Sequence, residues 1–199
     1  MADAPAVRFR DLVNLTGVQD LFPDVTAEQA EALSARASNL LADDPDLGDV
    51  HVVRGADHYS HEADTIGLDK PHPDILSHEA GHAQGIGRAG GVYKNLVRLS
   101  NQSSRINQLA AIPASLSIRA LTDSTAVGNS VLAPLAGISA LLASPGLYEE
   151  TRATVKAVGK SPDKMKTFGQ LLPPLIEHYA HGLAAPAVYL GQILASKED

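Results

Sequence analysis

The sequence predicts a mainly α protein, α+β in detail, with a small sheet near the N-terminus and apolar helices of small residues in its second half. Three observations predict this. Aromatic residues are only 4% of the 199 and Trp is absent, while Ala and Leu abound, a composition that suits close helix packing rather than a large aromatic-rich sheet. The short β-branched or apolar runs that suit strands lie between residues 50 and 68. Beyond residue 90 come long stretches with helical character, two of them nearly free of charge.

Element by element, Thr26 to Ala42 opens with a hydroxyl able to cap a helix, places Glu in the first turns and repeats apolar residues at helical spacing. Asp43 to Asp49 is turn chemistry, and Val50–Arg54 and Thr65–Leu68 are expected as strands. Pro71 and Pro73 stop the second strand. Proline suits a first helical turn and Asp74 complements the helix dipole, so a helix is expected from about Pro73 to about Ile86. Gly-rich residues 85 to 91 follow, then a polar helix-like stretch, Val92 to Gln108.

Two apolar segments come next. Ile106–Ile118, flanked by Arg105 and Arg119, is too short to cross a bilayer, whereas the uncharged run Ser124–Tyr148 is long enough. A core helix of small residues is the expectation for that run, with a membrane-embedded or membrane-contacting helix the alternative. Leu171–Ala195 is expected as one or two buried helices covering the site, and Ser196–Asp199 as a loose end. The whole is expected as one domain over 1–199: an N-terminal helix and sheet (1–68), a metal-site core with an apolar helical hairpin (69–158), and a C-terminal helical segment (159–199).

A net charge of -7 and a pI near 5.5 disfavour nucleic acid as a partner, since no basic face is visible. With no cysteine there is no disulfide and no thiolate metal site, so any metal falls to His, Asp or Glu. The N-terminal residues lack the apolar core of a cleavable signal peptide, and the expected location is cytoplasmic or membrane-associated.

The chemistry is concentrated in His78-Glu79-Ala80-Gly81-His82. The two histidines are four positions apart, placing both imidazoles on one helix face where they can share one metal ion, and zinc accepts that geometry. Glu79 is angled to reach a water rather than the metal, as a general base would be. Ala80 and Gly81 let the helix pack closely on its neighbours. The bland alternative is a solvated helix face with two incidental histidines.

A catalytic zinc site usually needs a third protein ligand. The extended pattern that ends in a third histidine has its Gly here, Gly85, but Arg88 stands at the histidine position. Arginine cannot ligate, so a carboxylate from a later helix is expected, with Glu149 and Glu150 the contenders at the start of a helix-like run.

In these motifs the chain resembles the gluzincin metallopeptidases, especially the membrane-linked branch with the CAAX prenyl proteases, the heat-shock membrane proteases and the bacterial neutral zinc metallopeptidases. The zinc helix there reads like Ile75–Ala83, an apolar helical hairpin intervenes, and a later helix reads Glu-x-x-Ala followed by Asp or Ser; this chain has Glu150-Thr-Arg-Ala-Thr154. The resemblance covers about residues 65 to 158 and implies a zincin-like fold, Zn2+ as cofactor, His78, His82 and Glu150 as ligands, Glu79 as catalytic base, and Thr154 where an Asp or Ser would orient a histidine.

His51, His58, His61 and His72 are expected to be solvated or locally hydrogen-bonded. His178 and His181, three apart beside Glu177, are either satisfied core or rim residues or, as a secondary expectation, the source of the donor, one or the other, to the oxyanion of a tetrahedral intermediate. The expected function is therefore zinc-dependent hydrolysis of a peptide or protein substrate. One rival is a non-catalytic structural or assembly protein that kept the zinc helix, and a second keeps the chemistry but is a membrane-inserted protease acting at or within the bilayer. Membrane contact through residues 106–148, and a homo-oligomer or larger assembly, are further expectations.

Overall fold

The computed structural model describes residues 5–122 and 125–195. Met1–Ala4, Asp123, Ser124, which begins the longer apolar run, and the expected loose end Ser196–Asp199 lie outside the described residues. The protein is mainly helical, with strands β1 (Ala6–Arg8), β2 (His51–Arg54), β3 (His58–Ser60) and β4 (Thr65–Leu68), and helices α1 (Leu15–Leu21), α2 (Ala27–Asp43), α3 (Pro73–His82), α4 (Gly91–Leu121), α5 (Thr125–Lys160) and α6 (Lys164–Ala195). It divides into two compact units, 1–90 with 151–172, and 91–150 with 173–199.

The first unit is a four-stranded mixed sheet in the order β1-β2-β4-β3, with helices against it. β4 is central, parallel to β2 with Val52 opposite Ile66, and antiparallel to β3 with Tyr59 opposite Ile66. The expected strands are there, and two three-residue strands join them at the edges. Asp64, in the left-handed region at φ 47°, turns the chain from β3 into β4. Its carboxylate accepts from the Tyr59 hydroxyl at 2.8 Å. Burial first, and then the hydrogen bond to Asp64 and its charge, push the Tyr59 hydroxyl above the usual tyrosine range, so it stays a neutral donor.

α2 begins as its sequence suggests: Thr26 Oγ1 accepts from the Gln29 amide and the Gln29 side chain accepts from the Thr26 amide, both at 3.2 Å. It buries Ala30, Leu33, Ala37 and Leu40, one face at helical spacing, in a core shared with Leu12, Val52, Ile66, Leu68 and Leu76. α3 starts at Pro73, with His72 Nδ1 accepting from the Asp74 amide at 3.3 Å. Its α-helical part ends at His82, earlier than expected, and a π-helical turn carries the chain through Ala83–Gly87.

Asp74 does more than complement a dipole. Buried, it accepts from Arg36 Nη2 at 3.2 Å and from Thr167 Oγ1 at 2.8 Å, while Arg36 Nη1 donates to Ser77 Oγ at 2.9 Å. The network ties α2 and the start of α6 to the turn of α3 that precedes His78. Asp74→Ala leaves Arg36 charged, buried and short of a partner, and is expected to destabilise the first unit by about 3–5 kcal/mol, read from a denaturant titration.

In the second unit the polar stretch and the shorter apolar segment merge into one helix, α4. Leu171–Ala195 belongs to a single helix that starts at Lys164, and from Pro173 onward most of its residues are exposed rather than buried. The expectation of buried helices there is corrected: the apolar residues outnumber the interior positions that α6 has. α4, α5 and α6 pack through Ala111, Leu132, Ala136, Ala185 and Tyr189. Among the described residues α5 is the one helix long and apolar enough to cross a membrane, and only 28% of its most apolar window is buried.

Candidate metal centre

His78 and His82 project from the last turn of α3, as residues four apart on a helix must. Their ring centroids are 4.8 Å apart with planes at 89°, and the two Nε2 atoms are 3.2 Å apart. Two nitrogens bound to one tetrahedral zinc at about 2.0–2.1 Å would be about 3.3 Å apart, so the imidazoles already have the spacing of a shared ion. The face is not the solvated one of the bland alternative: His82 and Glu79 are buried, and His78 partly so.

Glu150 completes the group. One ligand atom from each of His78, His82 and Glu150 lies within 4.8 Å of the others. The widest separation exceeds a tetrahedral edge by about 1.5 Å. Glu150 directly precedes, on one continuous helix, the turn of α5 that lies on α3.

Arg152, Ala153 and Thr154 of that turn each have a visible task. Arg152 Nη2 donates to the Gly81 carbonyl at 2.7 Å. Ala153 lies so near α3 that a Cβ on Gly81 would stand 3.0 Å from its Cα, which gives the glycine between the histidines a physical reason. Thr154, buried, has Oγ1 3.4 Å from His78 Nδ1. With that nitrogen donating to the hydroxyl, the lone pair of His78 Nε2 is left for a metal. Thr154→Val keeps the shape and loses this contact, and zinc affinity is expected to fall by about 10–100-fold in a chelator competition while the helical signal is unchanged.

Glu149, the other contender, is buried and accepts from the Tyr93 hydroxyl at 2.9 Å; it is not in the metal group. Arg88 pairs with Asp44 and Asp46, fastening the end of the π-helical turn. Of the other histidines, His72 caps α3 and His58 Nδ1 lies 2.7 Å from the Ala56 carbonyl. Neither these nor His51 and His61 join the metal group.

His178 and His181 line a cavity of about 500 Å³ in the second unit, with Glu150, Glu177, Asn101 and Gln108 also on its walls. His178 Nδ1 donates to the Pro174 carbonyl at 3.0 Å, and its Nε2 stands 3.4 Å from Glu150 Oε1. Tyr93, Arg152, Arg36 and Thr167 were not singled out from the sequence. Only Arg152, inside the Glu150–Thr154 motif, had a signal to find it by; the others are brought in by tertiary packing.

No family model, curated protein or solved structure matches this chain.

Proposed function

We propose that the chain is a zinc-dependent metallopeptidase of zincin-like design. The observation that carries this reading is the convergence of His78, His82 and Glu150, with ligand atoms within 4.8 Å of one another, on a helix that also holds the buried carboxylate of Glu79. Two imidazoles and one carboxylate are a donor set that catalytic zinc takes, with a further position left for water or substrate. When bound, zinc supplies Lewis-acid polarisation of a carbonyl and makes water a better nucleophile near neutral pH.

The chain's own groups do the rest. Glu79 takes a proton from the attacking water as its oxygen bonds to the carbonyl carbon, then delivers that proton to the leaving nitrogen as the C–N bond breaks. The products are a carboxylic acid, which ionises by giving its proton to the amine, and that amine. His181 is the donor for the oxygen that gains charge, because the neutral His178 ring that donates Nδ1–H to the Pro174 carbonyl has a lone pair and no hydrogen at Nε2. Thr154 orients His78, and Arg152 holds the turn beside Glu150 against α3.

The test is cleavage of an unstructured peptide by the zinc-loaded chain, with activity removed by a chelator and restored by zinc. A chain that binds zinc and cleaves nothing across a broad peptide library contradicts the catalytic reading.

A further inference from the structure

The helices of the second unit are built inside out. At their seam sit Ala111, Ala136 and Ala185 with Leu132 and Tyr189, and Ser115 is fully buried. Leu132, with Ile118, Leu135, Val188 and Ile193 against it, is the aliphatic share of the seam, and many other large aliphatic side chains point the other way: Leu109 on α4 is 82% exposed, Leu141 on α5 72% and Leu194 on α6 62%. Each belongs to a stripe, such as Ile106, Leu109, Ile112 and Leu116 on α4. A bundle surrounded by water places such residues inside, whereas bundles surrounded by lipid use small residues and hydroxyls at the helix contacts and leave large aliphatics outside.

Two further observations agree. Six prolines, Pro113, Pro134, Pro145, Pro173, Pro174 and Pro186, lie inside these helices, a load that lipid-embedded helices tolerate better than water-exposed ones. Two sets of polar groups in the bundle answer one another across its helices. Ser100 Oγ donates to the Ala143 carbonyl and accepts from the Gly146 amide, both at 3.0 Å. Arg119 Nη2 donates to Asn129 Oδ1 at 2.6 Å and to the Gln192 carbonyl at 2.7 Å.

We infer that α4, α5 and α6 of the second unit insert into a lipid bilayer, whose acyl chains cover the outward stripes of all three. A second protein surface is a poorer occupant, because three helices around one seam turn their stripes to different sides and one flat partner covers only one of them. The uncharged run on α4, Ile106–Ile118, is 13 residues, and that on α6, Gly182–Ala195, is 14. At 1.5 Å per residue each is about 20 Å long, past the middle of a hydrocarbon core of about 30 Å. The inference goes beyond the peptidase reading and stands whether or not the metal centre is catalytic.

The absence of Trp from the chain supplies the test. Leu109→Trp, Leu141→Trp and Leu194→Trp each place one fluorophore on one stripe at an exposed position that tolerates it. The purified full chain is mixed with neutral phosphatidylcholine vesicles, with and without bromine on the acyl chains, in high salt to remove electrostatic attraction. The expected result is flotation of each variant with the vesicles and at least twofold quenching by brominated lipid at all three positions. Quenching at none or only one, or a chain that stays soluble without vesicle binding, overturns the inference. So does a soluble oligomer in which the three fluorophores are shielded without lipid, since a second copy then covers the stripes.

Discussion

Glu79→Gln is expected to keep zinc at one per chain and to lower kcat by about 100- to 10,000-fold, the range that a positioned proton acceptor contributes. The substitution is nearly isosteric, so the buried site of Glu79 beside His78 is not opened or crowded. Gln keeps a carbonyl oxygen but cannot accept a proton from water. Zinc content by elemental analysis and kcat at saturating peptide separate the two effects. A variant that turns over at the parent rate removes Glu79 from the mechanism, and a variant that loses zinc shows that the carboxylate serves the metal itself.

Glu150→Ala and Glu149→Ala are expected to part sharply. Removing Glu150 takes away one of the three proposed ligand side chains, and zinc affinity should fall by more than the 10–100-fold typical of a lost outer-shell partner. Removing Glu149 takes from the second unit a buried carboxylate and the acceptor it offers the Tyr93 hydroxyl. That variant should melt at a lower temperature while its zinc Kd stays within a few-fold of the parent, by chelator competition. The reverse pattern would make Glu149 the ligand and put the Glu150 assignment aside.

Local rules carried much of the fold. Thr26, Gln29 and the periodic alanines and leucines after them state a helix in their own sequence, and Pro73 states the start of another, because caps and first turns are decided by neighbours. β2 and β4 were legible from their β-branched residues. β1 and β3 were not, since three residues are too few for a pattern and their pairing depends on partners far along the chain. The π-helical turn at Ala83–Gly87 has no periodicity to announce it. α6 was foreseen as buried because apolar content suggests an interior; content alone does not say which solvent surrounds a helix.

The centre followed the same division. His78, Glu79 and His82 are adjacent in sequence, so helix geometry alone brings them together. Glu150 came from the motif Glu150–Thr154, where the spacing of Glu, Ala and Thr matches what the structure asks of a turn against α3: a carboxylate beside the histidines, a small residue at Gly81 and a hydroxyl at His78 Nδ1. Arg36, Asp74 and Thr167, which hold α3 from behind, are spread over more than 130 residues and are joined only by folding.

The most direct measurement of the central claim is zinc K-edge absorption on the purified chain loaded with one equivalent of zinc. The account predicts stoichiometric uptake and a shell of two imidazole nitrogens with oxygen donors at about 2.0–2.2 Å, reduced to one imidazole in His82→Ala. Failure to hold zinc at one per chain, or a shell unchanged in His82→Ala, contradicts it.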